Sequence, residues 1–221
     1  MIKENINKIL NHIPQNVKLI AVSKTRSIEE IKNAYDYGIR DFGENKVQEL
    51  VSKEEKLNKD INWHLIGHLQ RNKVKYIAGK VYLIHSLDSI KLLNQIEKEY
   101  EKINLAANVL IEVNIGREEN KTGILSENIE DLINEIENCK YVKVLGLMAI
   151  IPKGDEINCI NYFKEVKELF DRISKIKYKN INMKYLSMGM TSDYEYAVRE
   201  GSNMIRIGEG IFGKRNYFKE G

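Results

Sequence analysis

The amino-acid sequence predicts an α/β protein: a single (β/α)₈ barrel of the TIM type with one additional helix at its N-terminus. Three observations lead there. Eight apolar runs of strand length recur along the 221 residues, and polar stretches of helical period lie between them. No Pro/Gly/Ser-rich linker or composition shift divides residues 1–221, whose only prolines are Pro14 and Pro152. Strands alternating with helices imply a parallel sheet. Eight such units in a chain of this length favour a closed barrel over an open doubly wound sheet.

The elements follow in order. Residues 2–12 read as an amphipathic helix with Ile2, Ile6, Ile9 and Leu10 on one face. Strand signals then come at 17–23 (VKLIAVS), 40–45 (RDFGEN), 63–68 (WHLIGH) and 81–87 (VYLIHSL). The remaining four are at 108–115 (NVLIEVNI), 142–150 (VKVLGLMAI), 185–189 (YLSMG) and 203–208 (NMIRIG). Several are continuous rather than alternating in apolarity, as a strand covered on both faces requires. Among the helices, SIEEIKNAYDYG starts with Ser27 as N-cap and Glu30 three residues on, and it ends at Gly38. SENIEDLINEIENCK repeats the Ser-start signal and places Ile129, Leu132, Ile133 and Ile136 on one face. NYFKEVKELFDRISKI does likewise with Phe163, Val166, Leu169, Phe170 and Ile173. The tail from about Ile211 supplies the last helix or a substitute for it.

Composition excludes several classes. Hydrophobic residues make up 43% and charged residues 30%, a globular balance that leaves no room for long disorder. The formal charge of +3 is too weak to point to nucleic acid, and Lys-rich stretches such as 73–80 and 175–179 read as solvated faces. Cys139 and Cys159 belong to no CxxC or Cys/His cluster, which excludes a disulfide framework and fits a reducing, cytoplasmic setting. The histidines lack HExxH-like spacing and the rim carboxylates do not cluster, so no metal is expected. No secretory leader or membrane span is expected either.

Barrel enzymes place their sites where strands end, with a phosphate site often following strands 7 and 8. The first strand ends in Ser23-Lys24-Thr25. A lysine at a barrel mouth has two readings: it snorkels to solvent, or partial burial lowers its pKa and leaves a free amine able to attack an aldehyde. Polar groups end the next strands too: Glu44-Asn45, Gly67-His68, His85-Ser86 and Glu112-Val113-Asn114, with Met148 closing the sixth. His68 and His85 read either as acid/base groups or as satisfied hydrogen-bonding residues. The seventh strand ends in Ser187-Met188-Gly189-Met190-Thr191-Ser192-Asp193, and the eighth carries Arg206-Ile207-Gly208-Glu209-Gly210. Hydroxyls, loop amides and a following helix N-terminus are what a phosphate needs. The glycines read equally as turn residues. A lysine on one strand with a phosphate cradle on another is the constellation that binds an aldehyde phosphate.

These segments resemble the pyridoxal phosphate (PLP) homeostasis proteins, which share the fold-type III barrel of alanine racemase. The resemblance runs through AVSKT (21–25), DFGENKVQE (41–49), WHLIGHLQRNK (63–73), HSLDS (85–89), EVNIGREENKTG (112–123), GLMAI (146–150), SMGMTSDYEYA (187–197) and RIGEGIFG (206–213). It implies that Lys24 carries PLP as a Schiff base. It further implies that Ser187, Thr191 and the main-chain amides at Met188 and Gly189 hold the phosphate, helped by the amides of Gly208 and Glu209. Arg206 would face the pyridine nitrogen and keep it unprotonated, because two cations repel. An unprotonated ring is a poorer electron sink, which argues against reactions through a strongly stabilised carbanion. Asn45, Asn114 and Met148 would line the pocket. Two departures stand out: Glu209 replaces a small hydroxyl residue, and His68 replaces a proline frequent in the family.

Three readings compete. The chain holds and delivers PLP to PLP-dependent apo-enzymes without strong turnover of its own, or it is a slow amino-acid racemase, or Lys24 serves a cofactor-free aldolase. Racemases of this fold carry a further β-domain that brings a tyrosine to the second face of the cofactor, and nothing in the sequence places Tyr217 of the tail there. Two-sided proton transfer needs an acid/base group on each face. The carrier reading is therefore preferred, as a monomer, since the racemase dimer is built by that β-domain.

Overall fold

The computed structural model describes residues 1–214, so Tyr217 lies outside the described residues. Its first helix, α1 (Ile2–His12), buries Ile6 and Ile9 and precedes eight strand–helix units. The strands are β1 (Lys18–Val22), β2 (Asp41–Glu44), β3 (Asn62–Leu65), β4 (Leu83–Leu87), β5 (Ala107–Val113), β6 (Val142–Ala149), β7 (Ile181–Ser187) and β8 (Met204–Ile207). They pair in parallel in sequence order, and β8 closes on β1 through Lys18–Met204 and Ala21–Ile207. Every predicted strand is present, most with ends trimmed by one to three residues.

The helices between them are α2 (Ile28–Asp36), α3 (Val47–Glu54), α4 (Val74–Ile77), α5 (Ile90–Glu101), α6 (Ile129–Glu137), α7 (Glu156–Ser174), α8 (Tyr194–Arg199) and α9 (Glu209–Phe212). Helix α2 begins as the sequence dictates: Ser27 accepts from the Glu30 amide and the Glu30 carboxylate accepts from the Ser27 amide. Helix α6 differs. Ser126 opens a 3₁₀ turn, and the α-helix starts three residues later without a side-chain cap. Helix α7 starts earlier than its apolar periodicity suggests, because Asp155 caps it by accepting from the Asn158 amide. After β8 the described chain makes a single helical turn, α9. Helix α1 packs against both α9 and α2, with Asn5 donating to the Ile211 carbonyl at 2.9 Å. It thereby covers apolar surface that so short an eighth helix leaves exposed.

Side chains alternate across each strand. Outward residues such as Leu19, Phe42, Leu65 and Val109 pack under the helices in one large core. Inward residues Ile20, Leu83, Leu110, Met148, Tyr185 and Met204 form a separate cluster inside the barrel. Gly146 bends β6 at a register shift, with φ +144° and the Tyr185 carbonyl 1.8 Å from where a Cβ would stand. No described helix is long and apolar enough to cross a membrane.

Candidate functional site

The inward parity of β1 runs Lys18, Ile20, Val22, so the next inward position is Lys24, at the C-terminal mouth. Lys24 is half-buried there and lines a cavity of about 550 Å³. Its loop is held from behind. Ser23, the outward neighbour, donates its hydroxyl to Glu44 Oε1 at 2.6 Å. Lys53 Nζ, from α3, donates to the Ser23 carbonyl at 2.8 Å, to Glu44 Oε1 at 2.8 Å and to Glu49 Oε1 at 2.7 Å. Glu49 also accepts from the Thr25 amide at 2.6 Å. Thr25 sits at φ +63°, a left-handed conformation costing on the order of 1 kcal/mol for a residue with a Cβ. Glu49, itself held by Lys53, therefore fixes a strained residue immediately after Lys24. Burial pushes the Glu44 carboxyl above its usual range, and the charge and hydrogen bond of Lys53 oppose that shift.

Across the mouth, β7 and β8 supply the second half. The loop after β7 turns on itself: the Met190 amide donates to Asp193 Oδ1 at 2.6 Å, and the Tyr194 amide to the Met190 carbonyl at 2.9 Å. Gly189 enters it at φ +96°, where a Cβ would lie 2.7 Å from Ala197 Cβ. Thr191 and the β8 loop are tied together by the Gly210 amide, which donates to Thr191 Oγ1 at 3.2 Å. The two segments expected to cradle a phosphate are thus adjacent and bonded to each other.

Arg206 lies inside the barrel, only 3% exposed, and is among the residues that line the cavity. It donates to the Ser187 carbonyl at 2.8 Å, to Ser187 Oγ at 2.7 Å and to the Ala149 carbonyl at 3.0 Å. Burial draws its pKa down to about 10, with Asp193 and Glu112 opposing, so it remains a cation at neutral pH.

Of the residues singled out in the sequence, Lys24, Asn45, Thr191, Arg206, Gly208 and Glu209 converge on this cavity. The others stand elsewhere. Asn114 bridges its own loop, donating to the Glu118 carbonyl and accepting from the Glu118 amide. Met148 fills the barrel interior, Met188 belongs to the outer core, and buried Gly189 forms the turn. Ser187 Oγ is fully buried between Arg206 and His85. Glu209 is exposed at the edge of the mouth, so its carboxylate remains in solvent. The two histidines also separate. His68 is exposed beside Asp88, at 3.3 Å, in a more open neighbouring cleft of about 800 Å³. His85 is buried in the middle of the barrel rather than at its rim.

Apolar walls come from Val22, Ile66 and Ile150, and among the described residues the basic side chains Lys24, Arg26, Arg206 and Lys214 outnumber the one lining carboxylate, Glu209. An amine at the mouth, a buried cation below it and a bonded double loop with hydroxyls and amides suit a flat, anionic, carbonyl-bearing ligand. The network that joins Glu44, a strand-end group expected at the rim, to Lys53 and Glu49 was not among the sequence expectations, nor were His64 and Asp41. The i,i+4 spacing of Glu49 and Lys53 was a visible signal for the first.

The alanine racemase N-terminal domain model matches residues 1–216. The pyridoxal phosphate homeostasis protein of Aquifex aeolicus is 45% identical over 202 residues, covering 90% of this chain and 88% of that protein. The structure of PipY from Synechococcus elongatus with PLP bound superposes with a TM-score of 0.88 at 30% identity, covering 96% of this chain and all of that one. An alanine racemase of Clostridium difficile shares the fold at a TM-score of 0.78 and 15% identity, covering 98% of this chain and 57% of that one.

Proposed function

The chain belongs to the alanine racemase N-terminal domain family and, within it, to the pyridoxal phosphate homeostasis proteins, and from that premise we propose that it binds PLP at the β1/β7/β8 mouth and serves in holding and delivering it. The observation that carries the reading is the shared cavity of Lys24, Thr191 and Arg206, which sets an amine, a phosphate loop and a buried cation around one space.

The residues present fit the cofactor. PLP would supply an aldehyde, and the Lys24 amine is the nucleophile of this chain that would hold it. The remaining work belongs to the protein. Thr191 and the loop amides receive the phosphate, and the basic residues of the mouth attract it. Val22, Ile66 and Ile150 line the cavity and would exclude water from the bound ring. Arg206, fixed by the Ser187 and Ala149 carbonyls, would hold a permanent cation on the ring side of the cofactor and so disfavour a second positive charge on its nitrogen. This suits storage of a reactive aldehyde better than turnover. Asn45 and Glu209 flank the opening, through which apo-enzymes would draw the cofactor.

Purified protein mixed with PLP is expected to develop a visible absorption band that Lys24→Ala abolishes. A wild-type protein that develops no band with PLP would overturn the reading. So would a Lys24→Ala protein that keeps the band.

A further inference from the structure

A continuous line of buried side chains crosses the barrel beneath the cavity. Arg206 Nη1 meets Ser187 Oγ at 2.7 Å, and Ser187 Oγ meets His85 Nδ1 at 3.2 Å. His85 Nε2 meets His64 Nδ1 at 2.9 Å, and His64 Nε2 meets Asp41 Oδ1 at 2.9 Å. Asp41 Oδ2 accepts from Lys18 Nζ at 2.9 Å at the opposite end of the barrel. Ser187 and both imidazoles are fully buried.

The chemistry at the two ends fixes the direction of every bond between them. Arg206 can only donate, so Ser187 Oγ accepts from it and has its own proton for the next partner. Burial raises the Asp41 carboxyl, but its two partners, His64 first and then Lys18, outweigh that through hydrogen bond and charge and hold it below its usual range, as an acceptor-only carboxylate. His64 Nε2 must then carry a proton. Burial lowers both imidazoles, His85 strongly, so each ring has one proton. His64 Nδ1 is consequently an acceptor, His85 Nε2 the donor to it, and His85 Nδ1 the acceptor for Ser187. Either ring in the other tautomer would set two donors or two acceptors face to face in a space that water does not reach.

We propose that Asp41, His64 and His85 are positioning residues forming, with Ser187, a one-directional hydrogen-bond relay that locks the Arg206 guanidinium at the base of the cavity before any ligand arrives. The relay draws the single Ser187 proton away from the cavity, so the hydroxyl oxygen stays an acceptor for Arg206. The placement of the ring-facing cation then depends on an aspartate at the far end of the barrel. The functional half of this inference rests on the PLP reading of the cavity; the tautomer half does not.

Nitrogen-15 NMR of the unloaded full-length protein at neutral pH should show both His64 and His85 as neutral rings protonated at Nε2. A ring protonated at Nδ1, or at both nitrogens, would overturn the relay whether or not PLP binds. In the second arm, His85→Leu and Ser187→Ala, each checked for folding by circular dichroism, should bind PLP on the order of 10-fold more weakly than wild type. Their bound cofactor should also absorb at a shifted wavelength, because the cation near the ring is no longer fixed. His85→Asn, which offers an acceptor close to the Nδ1 position, should recover part of the affinity. Unchanged affinity and wavelength in Ser187→Ala and in any folded His85→Leu would overturn the positioning role. Failure of wild type to bind PLP would instead sink the cofactor reading and leave the tautomer result standing.

Discussion

Replacing Lys53 by methionine removes the cation behind the Lys24 loop and keeps the length of the side chain. Lys53 is 8% exposed at its side chain and Glu44 is 0% exposed, so their contact at 2.8 Å is a buried ion pair. Among the described residues Glu44 Oε2 already lacks a partner, and without Lys53 its Oε1 is left there with only the Ser23 hydroxyl. Stranding one member of a buried pair costs about 3–5 kcal/mol, whereas loss of an exposed pair costs ~1 kcal/mol or less. Urea unfolding followed by circular dichroism at pH 7 should therefore show a deficit in the larger range. The pH dependence separates the causes. The folded-state pKa of Glu44 is raised by burial, and removing Lys53 takes away the charge that opposes that rise. Between the unfolded and folded pKa values the native state binds the extra proton, so stability increases as pH falls through that window. The Lys53→Met deficit should shrink as pH is lowered from neutrality towards the usual carboxylate range. Adding Glu44→Gln should restore part of the loss at pH 7, as a double-mutant cycle would register. A deficit below ~1 kcal/mol, or one indifferent to pH, would refute the reasoning.

Two further outcomes test the frame around the site. Ser27→Ala removes one half of the capping box that starts α2 and should cost about 1 kcal/mol, lowering Tm by roughly 2–4 °C in a scanning calorimeter. Gly146→Ala introduces a Cβ into the space of the Tyr185 carbonyl at an unfavourable φ, and should destabilise by more than ~4 kcal/mol in denaturant unfolding or prevent folding.

The sequence by itself determined the barrel, because its period of strands and helices is a local property. Continuous apolar runs such as VKLIAV can only be buried on both faces, and Ser27 with Glu30 announces its helix from four residues. It also determined which segments meet at the mouth, since in a closed parallel barrel every strand ends on the same side; hence Lys24, Thr191, Arg206 and Gly208 were all legible. Tertiary structure decided what those side chains face. Ser187 ends β7 and Thr191 lies four residues on in the loop that follows, yet one hydroxyl turns into the barrel to Arg206 and His85 while the other stays at the cavity. His64 and His85 are 21 residues apart, and Asp41 lies 23 from His64. Strand parity alone would have turned all three inward, but their contact depends on the stagger of neighbouring strands and the bulges that shift it, which no short stretch of sequence encodes. The same holds for Lys53. Its spacing from Glu49 is a helical signal, but the buried Glu44 and the Ser23 carbonyl come to it from two different strands. Strand order is written along the chain, whereas the charges that brace the Lys24 loop are assembled across it.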